Sequence, residues 1–320
     1  MRSIINSIFK PKLEEGWLSV VFSPEEVCFA HVKRVPKGKP EVTLFQVHKQ
    51  VDMANPSALE KLGKTMKANR FHCTTVLEHV EYQMLLVEAP GVAAEELKSA
   101  IRWRIKDLLS YHVDDATIDV LEIPAEKNAS VVRNRAMYAV AAQNDVIRRH
   151  VLQFQQAQIP LSVIDLPEIA QRNIASLLEA GEGSIAILSF DSEGGLLTFS
   201  SAGALYLTRR IEVSLPQLLQ SSGETQAHYF DRITLELQRS LDHFERQFHY
   251  IPLSRLILAP LPEPVGLQAY LATNLYLPVE ELDLGTVFDL SKVPDLTKPY
   301  LQWQHFYTLG AALRVEEKVL

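Results

Sequence analysis

One order of elements occurs twice along the chain, and that repetition constrains the fold more than any single motif. In the first half, strand-like runs at Trp17 to Phe22, Val27 to Val32 and Glu41 to His48 are separated by turn residues at Pro24 and Pro36-Lys37-Gly38-Lys39-Pro40. A helical run from Ser57 to Ala68 and a strand from Cys73 to Leu77 follow. The second half reads Ser184 to Phe190, Leu196 to Ser200 and Ala204 to Ile211, with turns at Gly194-Gly195 and Ser201-Ala202-Gly203. A long helix from Tyr229 to Phe248 comes next. Its apolar residues Phe230, Ile233, Leu237, Leu241, Phe244 and Phe248 recur every three or four positions and form one buried stripe. A strand at Arg255 to Ala259, a helix at Val265 to Thr273, a strand at Pro278 to Leu282 and a closing helix at Tyr300 to Arg314 complete it.

Two copies of three strands, helix, strand and helix predict an internal duplication. Two such α/β lobes facing each other make the actin-like (ribonuclease H-like) two-lobe fold, with a cleft between them. An extra segment interrupts the first copy. It has a strand at Gln83 to Glu88, a turn at Ala89-Pro90-Gly91, a helix from Ala94 to Ser110 and strands at Thr117 to Ile123 and Ala136 to Ala142. The polar Lys127 to Asn134 stretch reads as a hairpin tip. The expected organisation is a first lobe from 1–81 and 144–178, an inserted α+β subdomain at 82–143, and a second lobe at 179–320.

Composition narrows the function. The 320 residues carry a formal charge of −7, which argues against a nucleic-acid partner. Cys28 and Cys73 lie far apart in strand-like runs and read as buried thiols of a protein from a reducing compartment. The ten histidines show no metal-ligand spacing, and no P-loop or nucleophile elbow occurs. No window is apolar enough to span a membrane. From Met1 to Lys12, Ile4, Ile5, Ile8 and Phe9 at near-helical spacing leave two readings open, a short membrane-touching helix or a helix lying on the protein itself.

In the inserted helix, Leu97, Ile101, Ile105 and Leu108 fall on one face, which should cover the small sheet. Trp103 points nearly opposite. It either packs on the first lobe or lines a partner groove together with Ile101 and Leu85.

The run Glu95-Glu96-Leu97-Lys98-Ser99-Ala100-Ile101-Arg102-Trp103, with Lys106-Asp107-Leu108-Leu109, Val113-Asp114-Asp115 and Ile118-Asp119, resembles the inserted subdomain of PilM-type proteins, the actin-like cytoplasmic components of type IV pilus assembly. Ile159-Pro160-Leu161 with Ile164-Asp165 resembles the family's strand before its interlobe helix. Glu236-Leu237-Gln238-Arg239-Ser240-Leu241 resembles its cleft helix, and Leu309-Gly310-Ala311-Ala312-Leu313-Arg314 its closing helix. The likeness runs in order over nearly the whole chain. It implies a cytoplasmic scaffold, peripheral to the inner membrane, with two partners. One is the N-terminal peptide of a PilN-type inner-membrane protein, bound between the inserted subdomain and the first lobe. The other is the pilus assembly ATPase.

The resemblance also implies a nucleotide cleft, from which this sequence departs. The family's first phosphate turn reads Asp-Ile-Gly, whereas here Val21-Phe22-Ser23-Pro24-Glu25-Glu26 places Val21 and Ser23 at the aspartate and glycine, and Pro24 has no N–H. In the second turn, Ser189-Phe190-Asp191-Ser192-Glu193-Gly194-Gly195, Ser189 replaces the aspartate. Asp191 is either a substitute carboxylate for Mg²⁺ or an ordinary turn acid. The glycine pair expected beneath adenosine is replaced by Leu258-Ala259-Pro260-Leu261-Pro262. Glu236, Arg239 and Ser240 still share a helix face. The expectation is a pseudo-ATPase without a cofactor. The alternative is an assembly switch gated by ATP and Mg²⁺. A sugar kinase would need intact phosphate turns, and a GspL-like secretion protein would continue into a membrane helix.

Overall fold

The computed structural model describes residues 13–125, 136–179 and 183–315. The Met1 to Lys12 helix and the Lys127 to Asn134 hairpin tip expected above lie outside them. In chain order the elements are β1 (Trp17–Phe22), β2 (Glu26–Lys33), β3 (Glu41–Lys49), α1 (Pro56–Thr65), β4 (His72–Val76), β5 (Tyr82–Glu88), α2 (Ala94–Ile105), β6 (Ala116–Glu122), β7 (Ala136–Gln143), α3 (Asn144–Gln156), β8 (Leu161–Asp165) and α4 (Pro167–Leu178). Then follow β9 (Ser184–Phe190), β10 (Gly195–Ser201), β11 (Ala204–Ile211), α5 (Leu215–Gln220), α6 (Gly223–Gln247), β12 (Leu253–Leu258), α7 (Leu267–Asn274), β13 (Val279–Glu281), α8 (Leu284–Val287), α9 (Pro299–Gln304) and α10 (Phe306–Ala312).

The duplication is visible in the sheets. The first runs β3-β2-β1-β4-β8 and the second β11-β10-β9-β12-β13, the same permutation of antiparallel hairpins and parallel crossovers. This is the actin-like arrangement. Strands β9 and β10 are buried along their whole length, as a sheet covered on both faces requires. The α6 stripe packs on one face of the second sheet, with Phe244 stacked on Phe199 at 4.7 Å. On the first sheet, Leu59 and Leu62 of α1 and Phe154 of α3 cover Leu18, Val20 and Phe29.

The last and the interlobe helices meet at close range. A Cβ on Gly310 of α10 would lie 2.3 Å from the Ala170 carbonyl oxygen of α4, so only glycine fits there. Asn173 donates to the Gly310 carbonyl at 3.0 Å, and Arg314 pairs with the buried Asp165 at 2.9 Å. The closing helix expected as one piece is broken at His305, which turns its ring inward between α9 and α10.

The inserted sheet runs β5-β7-β6. Ile101 and Ile105 of α2 cover one face, against Met137, Ala139 and Ala141. The opposite face packs on the second lobe. Tyr138 and Ile123 enter the same core as Tyr206 and Phe248, with Met84, Leu121 and Val140 against them. Thr208 N–H donates to the Tyr138 hydroxyl at 3.2 Å. The insertion therefore bridges from the first lobe, which carries it, to the second.

Candidate functional site: the interlobe cleft and the inserted subdomain

The first hairpin turn uses its own polar groups. Ser23 N–H donates to the Glu26 carbonyl at 2.9 Å, and the Ser23 hydroxyl accepts from Glu26 N–H at 3.3 Å. The Glu26 carboxylate, nearly buried, accepts from the Gln304 amide at 2.8 Å. His305 Nε2 lies 3.8 Å from the same carboxylate, beyond hydrogen-bond reach. Burial, reinforced by Lys49, lowers the His305 pKa to about 4, so the ring is neutral at pH 7. At the start of β2, just after this turn, the Glu26 carboxylate thus faces the α9–α10 junction.

The second turn is closed in the same way. Asp191 Oδ1 accepts from Glu193 and Gly194 N–H groups at 2.8 Å each, and its carboxylate lies 3.3 Å from Arg210 Nη2. Two backbone donors of this turn are thus capped from within, and the capping Asp191 is paired to Arg210. Ser192 is exposed beside Glu193. The glycines serve packing. A Cβ on Gly194 would lie 2.7 Å from the Ile211 carbonyl oxygen, and one on Gly195 3.0 Å from the Phe190 ring.

Behind this turn lies a buried polar cluster. Ser189 donates to Gln171 Oε1 at 2.6 Å and lies 2.8 Å from the Tyr307 hydroxyl. The Gln171 amide donates to Ile187 and Leu196 carbonyls and to Thr198 Oγ1. Trp303 Nε1 donates to the Phe190 carbonyl at 2.8 Å. Tyr82, at the start of the insertion, donates to Glu168 of α4 at 2.5 Å. Burial pushes the Tyr307 and Tyr82 hydroxyls and the Glu168 carboxyl above their ordinary values.

The chain after β12 lines a concavity of about 480 Å³ with Pro260, Pro262 and Pro264, and with Glu263, Glu281 and Asp283. Prolines offer no donors, and the acids oppose an anion. On α6, Arg239 pairs with Glu236 at 2.8 Å on the exposed surface, and Ser240 is buried, donating to the Glu236 carbonyl at 2.7 Å. Glu236 also lines a concavity of about 330 Å³ with Arg210 and Arg232. Arg210 connects α6 to the Asp191 turn, and the consecutive α9 residues Gln302, Trp303 and Gln304 reach the chain after β12, the Phe190 carbonyl and Glu26 in turn.

The expected partner groove is taken apart. Ile101 is wholly buried and Leu85 half-buried under α2, whereas Trp103 is 71% exposed on the opposite face with Lys106 Nζ 5.3 Å from its ring centre. Three residues in these positions cannot line one groove. Leu108 also leaves the expected stripe and is exposed, because Leu108 N–H bonds to the Ile105 carbonyl and this tightened turn brings Leu109 inward instead. A different surface is open. Strand β5 pairs only with β7 among the described residues, and Leu86 is exposed on it, with Val80 exposed in the turn just before. Alternation along β5 puts Leu85 under α2 and Leu86 on the other face, but that the strand is an edge carried no signal in the sequence. The roles of Tyr82, Gln171 and Tyr307 carried no signal in the sequence.

No protein-family model matches the sequence, and no curated protein matches it. Solved structures do. The PilM–PilN type IV pilus biogenesis complex aligns over 95% of this chain and 100% of that chain, with a TM-score of 0.67 at 15% identity. The cytoplasmic domain of EpsL, an inner-membrane component of the type II secretion system of Vibrio cholerae, aligns over 78% and 84% with a TM-score of 0.44 at 16% identity. A Bacteroides thetaiotaomicron protein of actin-like ATPase fold aligns over 88% and 96%, with a TM-score of 0.44 at 12% identity. Across its described length, this chain has the actin-like fold found in the PilM–PilN complex.

Proposed function

We propose that the chain is a PilM-like scaffold of type IV pilus assembly, of the MSHA branch and closest there to MshI. It binds the N-terminal cytoplasmic peptide of a PilN-type inner-membrane protein, its MshJ-type counterpart. It works at the cytoplasmic face of the inner membrane, as a peripheral component, and couples the pilus platform to the assembly ATPase. It performs no ATP hydrolysis itself. The observation that carries this reading is the internal satisfaction of both hairpin turns, by Ser23 with Glu26 and by Asp191 with Arg210, within a fold that retains the inserted subdomain. The described residues contain no helix long and apolar enough to cross a membrane.

The free edge of β5, with Leu86 beside it, suits an extended peptide that needs backbone pairing and shallow apolar contact. Calorimetric titration of the full chain with the PilN-type N-terminal peptide tests this. Saturable binding that Leu86→Arg weakens at least about tenfold is expected, since about 1.4 kcal/mol of lost contact has that effect. No binding by the wild-type chain would overturn it. Titration with MgATP should give no saturable heat. Saturable heat lost in Arg239→Ala would favour the nucleotide-gated switch instead.

A further inference from the structure

The concavity beyond β12 differs from the two hairpin turns in how its charge is handled. Glu26 and Asp191 are engaged from within, by Gln304 and Arg210. The concavity of about 480 Å³ has walls of leucine and proline: Leu258 and Leu282, both buried, with Leu261, Pro262 and Pro299. Leu258 ends β12 and Leu282 follows β13, and these two strands are parallel neighbours. The concavity thus opens at their carboxyl ends, where open α/β sheets take their ligands. Glu263, Glu281 and Asp283 line it, and no basic side chain does. The bases nearest in sequence are held elsewhere, Lys298 by Asp295 at 2.6 Å and Arg255 by Glu280 at 3.3 Å. Glu263 and Glu281 have no hydrogen-bond or ion-pair partner among the described residues. Asp283 is fixed in place, since Oδ1 accepts from the buried Gln302 amide at 2.8 Å and from Gly285 N–H at 2.9 Å. Both bonds fall on one oxygen, and Oδ2 is left for an occupant.

An occupant of this space faces three carboxylates without a cation among them, so it must be positively charged. It must also lay an apolar or flat surface on leucine and proline. An arginine side chain meets both demands, with an aliphatic stem, a planar head and N–H donors in a fork that matches carboxylates. We propose that this concavity is a docking site for an arginine of a partner peptide, its stem on the leucine and proline walls and its guanidinium among Glu263, Glu281 and Asp283. The carboxylates of Glu263 and Glu281 are exposed to water, so the binding is weak and falls with salt. The inference goes beyond the scaffold reading and does not rest on it. The concavity belongs to the second lobe, whereas the β5 edge belongs to the insertion.

Isothermal titration of the full chain with the peptide acetyl-Gly-Arg-Arg-Gly-amide at low ionic strength tests it. Saturable binding with a Kd on the order of 0.1–1 mM is expected, weakening as salt is added. Glu263→Gln and Glu281→Gln should each weaken it at least about threefold, and the double variant at least about tenfold, with the unfolding midpoint unchanged because both side chains are exposed. The lysine counterpart of the peptide should bind at least about threefold more weakly. Leu86→Arg should leave the titration as it is. Absence of saturable binding to the wild type would overturn the proposal. A double variant that binds like the wild type would do the same, since the peptide would then sit elsewhere on an acidic surface. So would equal affinity for the lysine peptide, or loss of binding in Leu86→Arg.

Discussion

His305 is a buried base held away from its nearest carboxylate. Its Nε2 has no hydrogen-bond partner among the described residues, and its ring packs edge-on against Phe45 at 4.9 Å. The unfolded chain takes up a proton near the ordinary value of 6.5, but the folded chain resists until about 4. Stability from this residue is complete above pH 6.5 and is lost as the pH falls from there toward 4, on the order of 3 kcal/mol across the window. Denaturant titrations at several pH values should show that decline, and His305→Leu should flatten it. Glu81 acts in a lower window. Burial opposes its ionisation, but the hydrogen bond from His150, with others from Glu78 and Arg149, holds its pKa at about 2. Its contribution therefore disappears only below about pH 4.5. Tyr82→Phe leaves the Glu168 carboxylate buried without its hydroxyl donor and should cost about 1–3 kcal/mol, read as a lower denaturation midpoint.

At the scale of elements, the contact of α10 with α4 is the least tolerant. Gly310→Ala puts a methyl group into the Ala170 carbonyl and should destabilise by about 1–3 kcal/mol or more, measured by thermal or chemical unfolding. The strands and α6 were legible because each is long, periodic and bounded by turn residues. The stripe from Phe230 to Phe248 needs no tertiary information to be recognised. The end of α2 was not legible, since a tightened turn exchanges Leu108 for Leu109 without any change in composition. The break at His305 was hidden for a similar reason: nothing in its flanking sequence punctuates the helix. At the site, Ser23, Pro24 and Ser189 could be read directly from the sequence. That Asp191 caps its own hairpin, or that Tyr307 reaches Ser189 across the fold, depends on packing between distant segments.

For the whole molecule, the bridge made by the insertion matters most. Its sheet has no bare back. One face belongs to α2 and the other to the second lobe through Tyr138, Tyr206 and Phe248. On the proposed reading, a partner gripping β5 would therefore act on both lobes at once. Replacing Tyr138 with alanine removes a large buried side chain from that junction and should cost about 3–5 kcal/mol, in one cooperative transition if the insertion unfolds together with the lobe it touches. Two separate transitions by calorimetry would show instead that the junction is dispensable.

The docking of α10 has a further consequence, for biosynthesis. This last described helix packs not on its sequence neighbours alone but on β1, β2, β4 and α4, elements made much earlier. A ribosome translating the chain exposes Val76 and Ala170 long before their cover exists. The first lobe must wait, incomplete and sticky, until α10 has been made. Early segments emerging from the tunnel should thus be chaperone clients, and native protection of β1 should arise only once α10 has cleared the exit.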